Sequence, residues 1–496
     1  MSVLKRLAGE TAIYGIPSIV GRFLNWWLTP LYAWMFLPGE FGILSNVLAY
    51  VAFLQVLLTY GMETSYFRFA SRSDNSDKVF QTAFSSLTVT AILFILFVVS
   101  FSKTLSGWVG YPEHSEFIVW MGITVAVDAM TTIPFARLRL QRKPMKFALF
   151  KIINIGVNIL LNLFWILLCP KVLQANPDSF LQYFYSKDIG IGYAFLAYLI
   201  SSVVTLLLFM PELKFRKMII DRSVLIEMLR YGWPILIVGL AGMVNMNIDK
   251  ILIPELIPSG DPVHELGIYS ANSKLAILMS LFVQAFRFSF EPFLFSHYKN
   301  EDSKKAYAVI MNYFVVMGLM IFLGVMFYID IIKFFIGSST SGYHQGIKVV
   351  PWLLMGNLFL GMFYTQSLWY KLTDQTHFGA RFTIIGAAIT LAVNIIFVPM
   401  MGYMASAIAF FVASLVMTVI SYFVGQKYFP VRYDLAKIAA YFAVAIVLFI
   451  VSEQIEVESR LILYGLKTSL FMIFIAVFWY FERTDLKVAF RRPQKG

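Results

Sequence analysis

Two apolar segments of this chain, residues 231–257 and 267–296, carry Asp249, Lys250, Lys274, Arg287 and Glu291 among side chains greasy enough to cross a bilayer. A charge at mid-membrane costs roughly 2.5 to 3.5 kcal/mol on the mildest insertion scale, so five in two spans demand a water-filled or ligand-filled interior. At about 100° per residue, Ser273, Ser280, Gln284, Arg287 and Glu291 fall within an arc of roughly 60°, and Leu, Ile, Phe and Val cover most of the remainder. One face of this helix is wet. Arg287 and Glu291, four apart, also have the spacing of a self-contained ion pair, but that alternative leaves the other polar residues of the stripe unexplained.

The segment 11–36 repeats the pattern. Thr11, Gly15, Ser18, Arg22, Asn25 and Thr29 lie within an arc of about 60° at helical spacing, with Arg22 too deep to snorkel comfortably. The alternative for Arg22 is a structural partner, either a backbone carbonyl or a neighbouring carboxylate. Glu63 and Arg68 sit near the inner end of the second segment, where interfacial anchoring competes with a binding role. Asp128 falls in the inner half of the fourth segment and Lys467 in the outer part of the last. Lys151 is close enough to a cytoplasmic helix end to snorkel, and is expected to be structural.

Such residues need helices to hold them in a bilayer, and the composition supplies them. Of 496 residues, 59% are hydrophobic and 14% charged, with mean hydropathy +0.74, far from the range of a soluble globular chain. The expectation is an all-α polytopic membrane protein with fourteen transmembrane helices near 11–36, 41–62, 80–101, 116–136, 147–169, 189–210, 231–257, 267–296, 306–329, 348–370, 379–399, 403–425, 435–452 and 461–481. MSVLKRLAGE is short and basic and precedes an apolar stretch longer than a signal core, so no cleavable leader is expected and the N-terminus stays inside. With alternating loops, most of the 40 Lys and Arg then fall on the cytoplasmic side, and both termini are cytoplasmic. The net charge of +12 therefore reads as topology and contact with anionic membrane lipids, with no nucleic-acid signal.

The two halves match in order. Tyr14-Gly15-Ile16-Pro17 pairs with Tyr231-Gly232-Trp233-Pro234, and Glu40-Phe41-Gly42-Ile43 with Glu265-Leu266-Gly267-Ile268, the second pair offset by about 225 residues. Two parallel six-helix repeats follow, forming two lobes around a central cavity: an N-lobe at 1–222, a C-lobe at 223–430, and two further helices with a basic tail at 431–496. Absences narrow the chemistry. Cys169 stands alone, the five histidines have no ligand spacing, and no phosphate-binding loop is present, so no metal, cofactor or ATP hydrolysis is expected.

The runs NMNIDKILIPEL, ELGIYSANSKLAIL and FRFSFEPFLFSHYKNED, with Arg22 in the first span and YGMETSYFRFAS closing the second, resemble the polysaccharide transporter branch of the multidrug/oligosaccharidyl-lipid/polysaccharide (MOP) exporters. The resemblance covers essentially the whole chain and is nearest to bacterial O-antigen and lipopolysaccharide-biosynthesis flippases. It implies a cavity between two lobes that carries a polyprenyl-pyrophosphate-linked oligosaccharide across the bacterial inner membrane, with a polysaccharide polymerase as a further partner. It also implies that Arg22 and Arg287, with Arg68 as a looser third, hold the pyrophosphate beside Asn25 and Gln284. Asp249, Glu291, Glu63, Lys250, Lys274 and Asp128 are then candidate counter-ions or coupling groups. A guanidinium fork suits a diphosphate independently of the likeness. A multidrug exporter of the same fold is the main alternative, and would favour an acidic or aromatic lining. A membrane enzyme would need a defined acid, base or nucleophile in a pocket, which the scattered histidines and short loops do not offer.

Overall fold

The computed structural model describes residues 20, 21, 23–73, 75–213, 218–297 and 303–490, and only the backbone at 289–297, 303 and 483–490. Among the described residues every regular element is helical. Twelve helices are long and apolar enough to cross a membrane, or thirteen when Pro262–Leu275 and Ile277–Phe288 count as one bent span. Each falls on an expected stretch, and of the first of the fourteen stretches, 11–36, residues 11–19 and 22 lie outside the described residues. Exposed apolar side chains such as Leu93, Leu160, Leu207 and Phe423 form the surface that meets lipid.

One compact unit comprises Met1–Lys274, Ile336–Gly346 and Thr383–Ala413. Its first helices of eight residues or more are α1 (Leu28–Met35), α2 (Pro38–Thr59), α3 (Met62–Ala70), α4 (Ser76–Ser100) and α5 (Ser115–Leu140). They are followed by α6 (Pro144–Asn162), α7 (Gly192–Leu213), α8 (Arg222–Asn247), α9 (Asp249–Leu256) and α10 (Pro262–Leu275). Helix α5 is the central post, packed on α4, α7 and α2. Small residues make this possible: Ala126, Ala129 and Ala136 of α5, Ala83 and Ala91 of α4, and Ala194 and Ala197 of α7 are all buried. Without a hydrophobic drive between helices in lipid, such close backbone packing supplies the cohesion. A cluster of Met62, Tyr66, Phe80, Leu87, Ile133 and Met228 then ties α3, α4, α5 and α8 together.

Glycine sets two close approaches in this unit. Tyr60 and Gly61 take left-handed φ values of 35° and 71°, breaking the second span between α2 and α3, and a Cβ on Gly61 would meet the Gly232 carbonyl oxygen at 2.5 Å. The start of α2 crosses the start of α10 reciprocally. A Cβ on Gly42 would meet the Val263 carbonyl oxygen at 2.0 Å, and one on Gly267 the Pro38 carbonyl oxygen at 1.7 Å. Only hydrogen fits there. Where helices meet water, side chains close their free amides: Asn75 accepts from the Lys78 amide at 3.0 Å, and Asp221 from the Val224 amide at 3.0 Å.

The second unit comprises Leu275–Phe335, Ile347–Phe382 and Ser414–Gly496. It holds α11 (Ile277–His297), α12 (Ser303–Phe327), α13 (Val350–Gln366), parts of α14 (His377–Met401) and α15 (Tyr403–Tyr428), α16 (Leu435–Glu453) and α17 (Arg460–Phe490). Helix α12 is its post, packed on α11, α13, α16 and α17. The last two helices are pinned by charge as well as by packing. Glu482, 2% exposed, takes a salt bridge from Lys437 at 2.6 Å and a hydrogen bond from the Tyr441 hydroxyl at 2.8 Å. Lys467, 5% exposed, reaches Asp330 at 3.7 Å, and Asp330 also pairs with Lys333 at 2.8 Å. Lys333 foremost, with Lys467 behind it, holds the Asp330 carboxyl below the usual carboxylate range.

Candidate functional site

An open polar space lies among α2, α3, α5, α6 and α7, a chamber of about 330 Å³. Helix α5 brings Asp128, Thr132, Phe135 and Arg139 to its wall, residues spaced at four, three and four along one helical face. Glu63 of α3 pairs with Arg139, whose guanidinium also stands 4.9 Å from the Phe67 ring centre. Lys151 of α6 places its ammonium 4.2 Å from the Phe135 ring centre. The Asp128 carboxylate takes a hydrogen bond from Ser202 and lies in the field of Lys151. Asn154 donates to the Ser201 carbonyl at 3.0 Å and to the Thr205 hydroxyl at 2.8 Å, fixing α6 on α7. Two acids and two bases thus line one space, and their formal charges balance.

A second polar centre forms where α8 gives way to α9 at Ile248. Asp249 accepts from the Tyr269 hydroxyl at 2.6 Å and from the Lys250 amide at 2.9 Å, and pairs with the Lys250 ammonium at 3.3 Å. Lys250 also donates from its ammonium to the Met246 carbonyl at 3.3 Å. Asn46 of α2 donates to the Lys250 carbonyl at 2.7 Å and accepts from the Tyr111 hydroxyl at 3.1 Å. Burial foremost pushes the Tyr111 phenol up, so it stays a donor at neutral pH. Lys274, in the last turn of α10, is half-buried in the field of Lys250. Its ammonium has no hydrogen-bond or carboxylate partner among the described residues. Its carbonyl accepts the Trp26 indole at 2.8 Å, just before the span breaks into α11. Asp249 is therefore neutralised by one lysine, and a second lysine beside it is in excess.

The second unit offers less room. Arg287 is exposed on α11, its guanidinium 5.0 Å from the Tyr364 ring centre, at a pocket of about 10 Å³ edged by Val283, Phe286 and Thr365. Gln284 is half-buried one turn earlier. A separate cavity of about 20 Å³ lies among Tyr307, Gln366, Trp369, Ser421 and Tyr422. The Tyr307 hydroxyl and the Gln366 side-chain oxygen there are buried without a protein partner among the described residues, in space suited to a bridging water.

The expected site residues thus separate. Glu63 and Asp128 share the chamber, Asp249, Lys250 and Lys274 form the second centre, and Arg287 and Gln284 belong to the other unit. Arg68 is exposed and stacks 4.2 Å from the Tyr231 ring centre, and Asn25 is exposed. Arg22 and the side chain of Glu291 lie outside the described residues. Arg139 and Lys151 were missed as site residues because each stands near a helix end where snorkelling is the simpler expectation. The polar stripe of Asp128, Thr132 and Arg139 was the available signal.

A family model described as polysaccharide biosynthesis protein matches residues 9–289. No curated relative matches the sequence. Among solved structures, the lipid II flippase MurJ in an inward closed conformation is similar at 14% identity and TM-score 0.74, over 94% of this chain and 98% of that one. An inward-facing multidrug resistance MATE family transporter of the MOP superfamily is similar at 14% identity and TM-score 0.62, over 84% and 94%. A MOP superfamily transporter from Pyrococcus furiosus, described as having a binding pocket of reverse polarity, is similar at 14% identity and TM-score 0.56, over 85% and 95%.

Proposed function

Since the chain belongs to the polysaccharide biosynthesis protein family, we propose that it is a flippase that moves a polyprenyl-pyrophosphate-linked oligosaccharide from the cytoplasmic to the outer leaflet of the bacterial inner membrane. The observation that carries this is the excess cation at the second polar centre. Lys274 stands within an apolar span, near Lys250 and without a carboxylate of its own among the described residues. An ammonium in an apolar span without a carboxylate is costly, and a diphosphate headgroup passing through is the guest that repays it. Arg287, and Arg22 on the expected wet face of the first span, are further candidates for the headgroup, because a guanidinium fork suits a diphosphate.

The product would feed O-antigen lipopolysaccharide or a related surface glycan, handed on to a polymerase, with alternating access between an N-lobe and a C-lobe. The reciprocal crossing of α2 and α10 supports the internal repeat, because Pro38 and Gly42 stand 225 residues from Val263 and Gly267, the offset at which those helix starts match. The drug-exporter alternative gains nothing from the aromatic cavity, whose 20 Å³ suits a water and no organic cation.

The deciding experiment measures the amount and sidedness of lipid-linked oligosaccharide in cells lacking the gene and carrying wild type, Lys274→Ala, or Arg22→Ala with Arg287→Ala at matched membrane levels. Cytoplasmic-leaflet accumulation relieved by wild type alone is expected. No accumulation in the null strain would sink the flippase reading; relief by both variants would keep the flippase and discard these headgroup residues.

A further inference from the structure

The chamber in the first unit differs in kind from a headgroup site. Its formal charges balance, with Glu63 paired to Arg139 and Asp128 in the field of Lys151, so the chamber offers an incoming anion no net positive charge. Neutral hydrogen-bonding capacity stands beside these charges. The Gln55 side-chain amide and the Asn154 side-chain oxygen have no partner among the described residues, and both border the space. The Thr132 hydroxyl donates to the Asp128 carbonyl at 3.0 Å and keeps its lone pairs for an incoming donor. Phe135 and Phe147 supply apolar wall beside these groups. Donors, acceptors and apolar wall converge in about 330 Å³, at the lower edge of the range of roughly 300–1,000 Å³ typical of small-molecule sites.

We propose that this chamber is a sugar-binding subsite that takes one or two neutral, hydroxyl-rich rings of the glycan and excludes the diphosphate. A sugar hydroxyl both donates and accepts, which is the complement of an amide, an amide oxygen and a threonine left open side by side. Water fills the chamber between guests, and its displacement costs little because the guest restores the same bonds. The inference rests on the flippase reading. It divides recognition between an excess-cation centre for the diphosphate and a charge-balanced chamber for the sugar.

The test uses full-length protein in lipid nanodiscs with two probes, N,N′-diacetylchitobiose read by saturation-transfer NMR and inorganic pyrophosphate read by the broadening of its 31P line. Saturation of the disaccharide ring protons is expected with wild type, unchanged by a tenfold excess of pyrophosphate and unchanged in Lys274→Ala. Thr132→Phe, which fills the chamber, is expected to weaken the disaccharide at least tenfold while pyrophosphate still binds, which also reports that the variant is folded. Thr132→Val, removing only the hydroxyl, is expected to weaken it two- to fivefold. Displacement of the sugar by pyrophosphate, undiminished binding in Thr132→Phe, or no binding of the disaccharide to wild type would overturn the proposal. Sugar binding with these properties in a protein whose gene deletion leaves lipid-linked oligosaccharide unchanged would keep the subsite and remove the flippase.

Discussion

Four charges of the first unit border open space, whereas two of the second close on one another. Asp128, Lys151, Glu63 and Arg139 line a chamber of about 330 Å³. Lys437 and Glu482, the same residue types in equally apolar surroundings, close on one another at 2.6 Å with the Tyr441 hydroxyl as a third partner. An intramembrane charge is a functional candidate by default. The contrast refines that default: a charge whose partner fills its whole environment braces helices, and one that borders open volume can meet a guest. By that criterion Lys467, held at Asp330 and nearly inaccessible, belongs with the braces.

The sharpest way to break the contrast is to remove half of a brace. Glu482→Ala leaves Lys437 without its carboxylate and the Tyr441 hydroxyl without its acceptor, and is expected to cost about 3 kcal/mol or more. Thermal unfolding in detergent checks this, and Lys437→Met with Glu482→Leu is expected to recover most of the loss. Lys274→Ala is the opposite case. It strips no partner, so stability is expected to change by less than about 0.5 kcal/mol. Flipping should nevertheless fall about tenfold or more, since a hydrogen bond to a charged group contributes roughly 1.5–3 kcal/mol. A Lys274→Ala protein that is destabilised as much as Glu482→Ala would move Lys274 among the braces.

The spans were legible because roughly 20 apolar residues in a row have few other uses. Lys274 and Asp249 were legible for the related reason that depth makes a charge conspicuous. Arg139 and Lys151 were not, because their distance from a helix end allows snorkelling and only the neighbouring helices reveal that their heads turn inward over Phe67 and Phe135. The Lys437–Glu482 pair was hidden for another reason. Each residue borders a span, and nothing local says that two residues 45 apart will meet. Arg287 was conspicuous in sequence, yet it stands exposed on a shallow pocket edge, where wheel geometry alone would have put it in a wet interior.

Within the chamber, smaller effects are expected. Asp128→Asn and Lys151→Met each remove one of two opposite charges that share the chamber, so each should cost about 1 kcal/mol, with a coupling of roughly 0.5 kcal/mol in the double-mutant cycle. The coupling between Lys437 and Glu482 should exceed it. Equal couplings in denaturation measurements would erase the distinction between space-facing and locked charges.

The smallest effect is expected outside the spans, where both units carry a carboxylate held low by a lysine. Asp221 accepts from Lys78 at 2.6 Å, from the Ser223 hydroxyl and from the Val224 amide at the start of α8, and these bonds, Lys78 first, depress its pKa. Asp330 is depressed by Lys333 first and Lys467 after it. A depressed folded-state pKa contributes stability that is complete above the unfolded value of about 3.9 and is lost as pH falls through the lower folded value. Thermal midpoints measured from pH 6 downward should therefore fall less steeply in Asp221→Asn and in Asp330→Asn than in wild type, below about pH 4. Asp221 should be the more acid-sensitive of the two, because its carboxylate takes three hydrogen bonds and is 22% exposed, while that of Asp330 is 42% exposed and stands 3.7 Å from Lys467. An Asp330→Asn protein with the acid profile of wild type would mean that Lys467 is stabilised by something other than this carboxylate, and would reopen its place among the braces.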